Sequence, residues 1–266
     1  MTFNEMNIVL TGATGGIGEA LAHVLAQQGA NLLLTGRNTN KLLALQHRLQ
    51  SADCHVDIVA ADLCTQEGLH QVVRAVENSA FQINVLINNA GVSHFHSFAQ
   101  QPSGGIQASF EANIIAPMTL TQMLLPQLDK PQQALIVNIG STFGSIGYPG
   151  YATYCSTKFA MRGFSEALSR ELADSRIDVL YMAPRATKTP INSAATISLN
   201  TELGNKMDDP DTVAQEIVTA IKDKKKQHFI GWPEKLFVKL NALFPALVTR
   251  SIVKQLVVIK KHFTTN

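Results

Sequence analysis

Tyr154 and Lys158 stand four residues apart and form a pair that could move a proton. On a helix this spacing places both side chains on one face, one turn apart. A free tyrosine titrates near pH ~10 and a free lysine slightly higher, so neither alone transfers protons well at neutral pH. An ammonium beside a phenol favours the phenolate and lowers the pKa of the phenol. The pair therefore predicts a general acid or base that works near neutrality; the alternative is a surface tyrosine beside a solvated lysine.

A glycine-rich turn near the start of the sequence stands where a phosphate-binding loop would lie. Residues 7–10 predict a buried strand, T-G-A-T-G-G-I-G follows at 11–18, and an amphipathic helix runs on to Gly29. Glycines serve ordinary tight turns, but they also let the backbone approach a pyrophosphate, whose charge a helix N-terminus favours. We therefore expect cofactor phosphates to be bound at Gly12, Thr14, Gly16, Ile17 and Gly18.

The second predicted strand, residues 31–35, ends in Gly36-Arg37-Asn38, and no acid stands at 35–38. In dinucleotide-binding folds an acid about 20 residues past the glycine turn binds the ribose 2′-hydroxyl, whereas an arginine there accommodates a 2′-phosphate. We therefore expect Arg37 and Asn38 to contact the 2′-phosphate end of NADPH, with an exposed loop arginine as the alternative.

Two further strand ends carry candidate contacts. Asp62 and Leu63 follow a predicted strand over 55–60; the acid could contact the adenine or cap the next helix, although Thr65 is the better N-cap candidate. A strand over 83–87 leads into N-N-A-G at 88–91, whose small residues allow close packing against a planar ring.

The middle of the chain predicts a long helix over 107–128 and a strand over 134–139. Asn113 is a poor helix former, and Pro117 cannot donate to the carbonyl of residue 113. That carbonyl could bind a water, or the helix could simply be kinked. Ser141, just past the strand, could hydrogen-bond a substrate carbonyl oxygen or only satisfy a turn.

In their order and spacing these motifs resemble the short-chain dehydrogenase/reductase family over roughly residues 5–230. The resemblance implies an α/β fold: a Rossmann-type doubly wound parallel sheet of about seven strands, in the order 3-2-1-4-5-6-7. We expect one domain over 1–231 and a C-terminal helical extension over 232–266. Family members commonly form dimers or tetramers through helices near 105–128 and 151–173, so a homodimer or homotetramer is expected.

The resemblance also implies roles. Tyr154 would be the general acid, and Lys158 would lower its pKa and bind the nicotinamide ribose. Ser141 would orient the carbonyl, and Asn113 would hold a water in a proton relay to Lys158. Further cofactor contacts would come from Asp62 at the adenine, Asn89 at the adenine ribose, Ala90 and Gly91 beside them, and Thr187 and Thr189 at the carboxamide and phosphates.

The expected function is reduction by NADP(H) of a ketone or aldehyde on a small hydrophobic or lipid-linked substrate, for which a 3-oxoacyl thioester is one candidate. One alternative is oxidation of a hydrophobic, sterol-like alcohol. An alternative of another class is a non-catalytic NADPH-binding redox sensor, although such relatives usually lose the tyrosine or the lysine.

One departure from the family pattern follows the sixth predicted strand, 178–182. The usual Pro-Gly is Pro184-Arg185 here, and arginine adopts positive φ only at a cost. Either the turn has negative φ, or Arg185 is held in place for a reason; it could meet an acidic substrate group or point to solvent. Residues 185–209 lack a clean period and are expected to form the flap that sets substrate specificity.

Composition narrows the class of protein. The chain has 266 residues, 45% hydrophobic, with a net charge of +2, which suits one α/β domain and gives no sign of nucleic-acid binding. Three cysteines without metal-ligand spacing, no signal-peptide pattern and no long apolar run favour a metal-free cytoplasmic protein.

The extension has its own pattern. Residues 231–266 carry six Lys or Arg and one acid, Glu234, while apolar residues recur at helical spacing: Leu236, Leu240, Leu243 and Leu247, then Ile252, Leu256 and Ile259. Basic amphipathic helices with Trp and Phe are typical of peripheral membrane anchors. The alternatives are contact with an acidic acyl carrier, packing on the protein's own body, and a dimer contact.

Overall fold

A parallel β-sheet carries the fold. The computed structural model describes residues 1–50 and 54–263, and within those ranges seven strands form one sheet in the order β3-β2-β1-β4-β5-β6-β7. The strands are β1 Asn7–Leu10, β2 Asn31–Gly36, β3 Val56–Ala60, β4 Val85–Asn88, β5 Ala134–Ile139, β6 Ile177–Ala183 and β7 Gln227–Phe229. This confirms the predicted fold class and strand order.

The central strands are apolar throughout because helices cover both faces of the sheet. All six residues of β5 are buried, and the only polar one, Asn138, lies opposite Asn88 of β4. The two amides are hydrogen-bonded at 2.9 Å, and Asn138 also donates to Ser165 Oγ. The amide nitrogens of both residues are thereby satisfied in the interior, whereas Asn88 Oδ1 is buried without a hydrogen-bond partner among the described residues.

Helices form the two outer layers. Their bounds are α1 Gly16–Gln27, α2 Thr39–Leu49, α3 Gln66–Glu77, α4 Gly105–Phe110, α5 Ala116–Leu128, α6 Ala152–Glu171, α7 Ala194–Glu202, α8 Pro210–Lys222, α9 Glu234–Leu243, α10 Pro245–Lys254 and α11 Leu256–Lys261. One apolar core joins α1, α2 and α8 to one face of the sheet, and a second joins α3, α5 and α6 to the other.

One predicted helix was wrong in form. The single helix expected over 107–128 is two α-helices, α4 and α5, separated by a π-helical segment, Glu111–Ile115. Pro117 lacks an N–H, so the regular ladder is interrupted there, and a wider turn forms in place of a simple kink. Strand limits also moved: β3 begins at Val56 and β4 at Val85.

The flap over 185–209 contains a helix that its sequence pattern did not predict. α7 begins after Ser193, whose side chain accepts a hydrogen bond from Thr196 N at 3.2 Å. A serine at this position stabilises a helix start by about 1 kcal/mol relative to alanine. The helix is then held by tertiary packing, since Leu199 is buried against Tyr151 and Ile259.

Helices α9–α11 lie against the body of the protein with one side. Val238, Val248 and Ile259 are buried, and Asn241 Nδ2 donates to the carbonyl of Ser145 at 2.9 Å. Among the helices described, none is long and apolar enough to cross a membrane.

Candidate active site

A cavity of about 670 Å³ lies beyond the carboxyl ends of the strands, where open α/β sheets bind their ligands. Its wall contains nearly all the candidate residues. Those that line it are Gly12, Thr14, Gly16, Ile17, Gly18, Arg37, Asp62, Leu63, Asn89, Ala90, Gly91, Ser141, Tyr154, Lys158, Thr187 and Thr189.

The glycine turn joins β1 to α1 and is closely packed. Gly12 has φ +64°, a conformation that side chains disfavour. A Cβ on Gly16 would come within 2.6 Å of Thr189 Cγ2, so the flap rests directly on the turn. Gly16, Ile17 and Gly18 at the start of α1 line the cavity, and a helix N-terminus at this place suits a pyrophosphate.

Asn89, just past β4, holds this turn in place. Its Nδ2 donates to the carbonyls of Thr11 and Gly12, at 3.0 and 3.1 Å. Thr11 Oγ1 in turn accepts from the N–H groups of Asn89 and Ala90. The expected ribose contact of Asn89 would therefore have to use its carbonyl oxygen, because the amide nitrogen is engaged by the protein.

Lys158 lies on α6 and is buried. Its side chain is 6% exposed, and Nζ donates to the carbonyl of Ile139 at 3.0 Å and lies 5.6 Å from the centre of the Tyr154 ring. Burial lowers the pKa of Lys158 to about 8, because the ammonium is deprived of water.

Tyr154 differs from the expectation in one respect. Part of its ring is exposed in the cavity, yet loss of water around the side chain raises its pKa, and a hydrogen bond with Ser141 offsets only part of that increase. Burial thus outweighs the lowering expected from Lys158, whose ammonium lies 5.6 Å from the centre of the ring and bonds to a backbone carbonyl. At neutral pH the side chain is thus a phenol, which is a proton donor.

Ser141 is held by Tyr181, a residue that the sequence reasoning missed. Tyr181 Oη donates to the carbonyl of Ser141 at 3.1 Å and accepts from its N–H. A Cβ on Gly140 or Gly144 would collide with the Tyr181 ring, so the glycines on either side give the ring its place. Ser141 Oγ accepts from Phe143 N at 3.1 Å, which leaves its hydroxyl proton for a second partner.

Asn113 lies 1% exposed in the π-helical segment and is engaged in three side-chain hydrogen bonds. Its Oδ1 accepts from Val92 N at 2.7 Å, and its Nδ2 donates to Val92 O and Thr157 Oγ1. Thr157 adjoins Lys158, so Asn113 positions the helix that carries the lysine. The group expected to hold a water is its main-chain carbonyl, because Pro117 cannot donate to it.

Arg185 lines the cavity but does not point to solvent, because its side chain is only 11% exposed. Its guanidinium forms a bidentate pair with Asp208, with Nε–Oδ2 at 2.8 Å and Nη2–Oδ1 at 2.6 Å, and Nη1 reaches Glu234 Oε2 at 3.1 Å. Its φ is not positive; among the described non-glycine residues only Lys224 has positive φ. Arg185 therefore ties the two ends of the flap to the start of α9.

The end of the cavity beyond Tyr154 is aromatic. Phe143 stacks on Tyr148 with ring centres 5.3 Å apart and packs against Tyr151 at 5.2 Å. Burial raises the pKa of Tyr148 to about 12 and raises that of Tyr151, so both remain neutral. Leu199 from the flap and Ile259 from α11 complete the same apolar cluster. Such a wall suits an apolar ligand.

Two candidates have other contacts. Asn38 does not line the cavity; it caps α2, where its side chain accepts from Lys41 N at 3.0 Å. Asp62 lines the cavity, while its Oδ1 accepts from Cys64 N at 3.1 Å and Thr65 caps α3, as its sequence position favoured. The missed residues, Tyr181 and Asp208, carry no local signal, because their partners lie 40 and 23 residues away.

Residues 6–199 match the family model described as short chain dehydrogenase. This protein belongs to the short-chain dehydrogenase/reductase family. The dehydrogenase/reductase SDR family member 7B of Xenopus laevis is 30% identical over 253 residues, which cover 90% of this chain and 78% of the relative. The ketoacyl reductase HetN of Nostoc sp. is 28% identical over 256 residues, covering 94% and 88%. A short-chain dehydrogenase from Sphingobium yanoikuyae, solved in complex with NADPH, is 27% identical with a TM-score of 0.78, covering 92% and 95%.

The pKa of Lys158 predicts a pH-dependent stability. Its folded value is about 8 and its unfolded value ~10.4, so between them the unfolded chain binds more protons and this lysine's contribution rises with pH. Above pH ~10 the raised pKa of Tyr154 opposes the rise, because an unfolded tyrosine loses its proton there. Urea unfolding near pH ~8 and ~10 should show the native protein gaining stability relative to Lys158→Met. Parallel pH courses for the two proteins would contradict the assignment.

The Arg185 clamp predicts local ordering. Arg185→Ala leaves Asp208 buried without its partner, which is strongly destabilising. We expect faster amide hydrogen exchange in the flap and in α9. The matched control is Lys188→Ala, which removes an exposed pair with Asp209 and should change little. Equal effects of the two substitutions would show that the buried pair does not hold the flap.

Proposed function

We propose that this protein is an NADPH-dependent oxidoreductase that reduces the carbonyl group of an apolar substrate. The observation that carries the proposal is the convergence of Tyr154, Ser141 and Lys158 at the end of β5, between a glycine turn and an aromatic wall. The glycine turn on one side of these three residues suits a dinucleotide, and the aromatic wall on the other side suits an apolar ligand.

The cofactor side fits a dinucleotide. Gly12, Gly16 and the N-terminus of α1 would hold the pyrophosphate, and Lys158 would reach the nicotinamide ribose. Arg37 lines the cavity at its adenine end, is exposed, and has no ion-pair partner among residues 1–50 and 54–263. A guanidinium so placed favours a 2′-phosphate. Bound there, the cofactor supplies a hydride for the carbonyl carbon.

The protein's own part is to orient the carbonyl and supply the proton. Tyr181 holds the backbone of Ser141, and Phe143 N donates to its Oγ. The Ser141 hydroxyl donates a hydrogen bond to the carbonyl oxygen and sets its direction. Tyr154 then gives its phenolic proton to that oxygen. The positive charge of Lys158 stabilises the phenolate that remains. The raised pKa of Tyr154 favours this direction at neutral pH, because the side chain begins protonated.

The aromatic wall supports a bulky apolar substrate. Phe143, Tyr148 and Tyr151 offer ring surfaces, and Leu199 closes the flap side. The likeness to a ketoacyl reductase supports a 3-oxoacyl thioester as one member of this class. Oxidation of an apolar alcohol would use the same groups in reverse. A non-catalytic NADPH sensor is disfavoured, since such a protein has no use for the buried proton donor.

We also propose that two copies associate through helices α4, α5 and α6. Several large apolar side chains are exposed on or beside these helices: Ile106 46%, Ile115 47%, Met118 40% and Phe159 45%. Burial of such surface between identical subunits in a two-fold contact would remove it from water.

Replacing Tyr154 tests its proposed role as the proton donor. Tyr154→Phe removes the phenolic hydroxyl and keeps the ring in its packing. We expect turnover of apolar ketones to fall roughly 10²–10⁴-fold while NADPH affinity stays within a few fold. Turnover and affinity are measured by cofactor absorbance and fluorescence. An unchanged turnover would overturn the role of Tyr154, and a partner response that survives without turnover would support a sensor.

Replacing Arg37 tests the cofactor choice. Arg37→Ala should weaken NADPH binding roughly tenfold or more, because a charge-assisted hydrogen bond is lost, and should leave NADH binding unchanged. Arg48→Ala is the matched control, since that arginine is exposed, pairs with Glu19 at 2.8 Å and lies off the cavity wall. Equal losses for NADPH and NADH would remove Arg37 from the selection.

A further inference from the structure

The extension presents apolar side chains to solvent. Among the described residues, half of the large apolar side chains that are exposed lie in the short segment 232–257. They are Trp232 69%, Leu236 40%, Phe237 38%, Leu243 72%, Phe244 55%, Leu247 57%, Val253 55% and Val257 73%. A monomeric protein rarely leaves so dense an apolar surface uncovered, which marks it as an interaction site.

The two apolar series of the extension, which begin at Leu236 and at Ile252, differ in burial. Ile259, in the second series, is buried against Leu199, so that part of the extension packs on the protein's own body. In the first series Leu236, Leu243 and Leu247 face outward, while Val238, on the other side of α9, is buried. Helix α9 therefore packs on the body of the protein through the side that carries Val238, and its leucine-rich side remains exposed to solvent.

The charge around this surface is positive. Lys239, Arg250 and Lys254 are exposed on α9 and α10. The only acid in the sequence from 232 onward, Glu234, is engaged by Arg185 at 3.1 Å. An apolar surface surrounded by lysine and arginine, with a tryptophan and two phenylalanines, complements an anionic lipid surface.

The same helices are tied to the flap and to one residue of the cavity wall. On α11 and just after it, Lys261 and His262 pair with Glu202 at the end of α7, at 3.2 and 2.6 Å. At the other end Glu234, which lines the cavity, is fixed by Arg185. The inner side of the extension is thus fixed to the flap, while its outer side carries the apolar surface.

We propose that residues 232–257 dock this protein onto an anionic lipid surface, with the corner between α9 and α10 inserted among the lipids. Leu243, Phe244 and Leu247 at that corner enter the apolar layer, and Lys239, Arg250 and Lys254 meet the headgroups. A second copy is a poorer occupant, because a two-fold contact would set like charges against each other. The docking does not depend on the proposed reaction.

Vesicle binding by the full chain tests the proposal. Co-sedimentation with phosphatidylcholine vesicles containing phosphatidylglycerol should exceed that with phosphatidylcholine alone, and salt should weaken it. Leu243→Ser/Leu247→Ser should reduce partitioning roughly tenfold or more. The matched control, Leu43→Ser/Phe98→Ser, changes two side chains of similar exposure on the body, 49% and 65%, and should bind as the native chain does.

Replacing charged residues of the extension gives a second, independent test of lipid binding. Lys239→Gln/Lys254→Gln should weaken binding to the anionic vesicles roughly tenfold, whereas Lys222→Gln/Lys225→Gln, an equal loss of charge on and just after α8, should not. No vesicle binding, or equal binding by all variants, overturns the proposal. A change from dimer to monomer on Leu243→Ser/Leu247→Ser, or retention by an acidic acyl carrier protein without vesicle binding, overturns it also.

Discussion

The burial of an ammonium and a phenol at one strand end is the constraint on which the site depends. A buried lysine is tolerated only where its charge has a hydrogen-bond partner, and Lys158 finds one in the carbonyl of Ile139. That carbonyl is available because β5 ends there, and Asn113 fixes α6 through Thr157 so that the lysine reaches it. These hydrogen bonds thus fix Lys158 beside Tyr154, with Nζ 5.6 Å from the centre of the ring.

Tyr181 fixes the position of Ser141 next to this buried pair. Its hydroxyl is hydrogen-bonded to the backbone of Ser141, and the ring fits because Gly140 has no Cβ. A larger residue at 140 would displace the ring and release the loop. The orientation of the Ser141 hydroxyl is therefore a property of the β5–β6 packing and not of the loop alone.

The strands could be predicted because apolar runs are local signals, whereas the strand order and the convergence of most site residues followed from the resemblance to the family. The π-helical segment could not be predicted: Pro117 showed that the ladder was interrupted, but the wide turn is fixed by the hydrogen bonds of Asn113. The partners of Arg185 lie 23 and 49 residues away, and no local pattern reports such a contact. For Tyr154, spacing revealed the pair, but only the fold shows that burial outweighs the lysine's charge.

The most direct measurement is whether the purified protein consumes NADPH when a bulky apolar ketone is added. We predict that cofactor absorbance falls only in the presence of the ketone, with one alcohol formed for each NADPH oxidised. NADPH that binds tightly but is not oxidised by bulky ketones, aldehydes or 3-oxoacyl thioesters would contradict the proposed reduction.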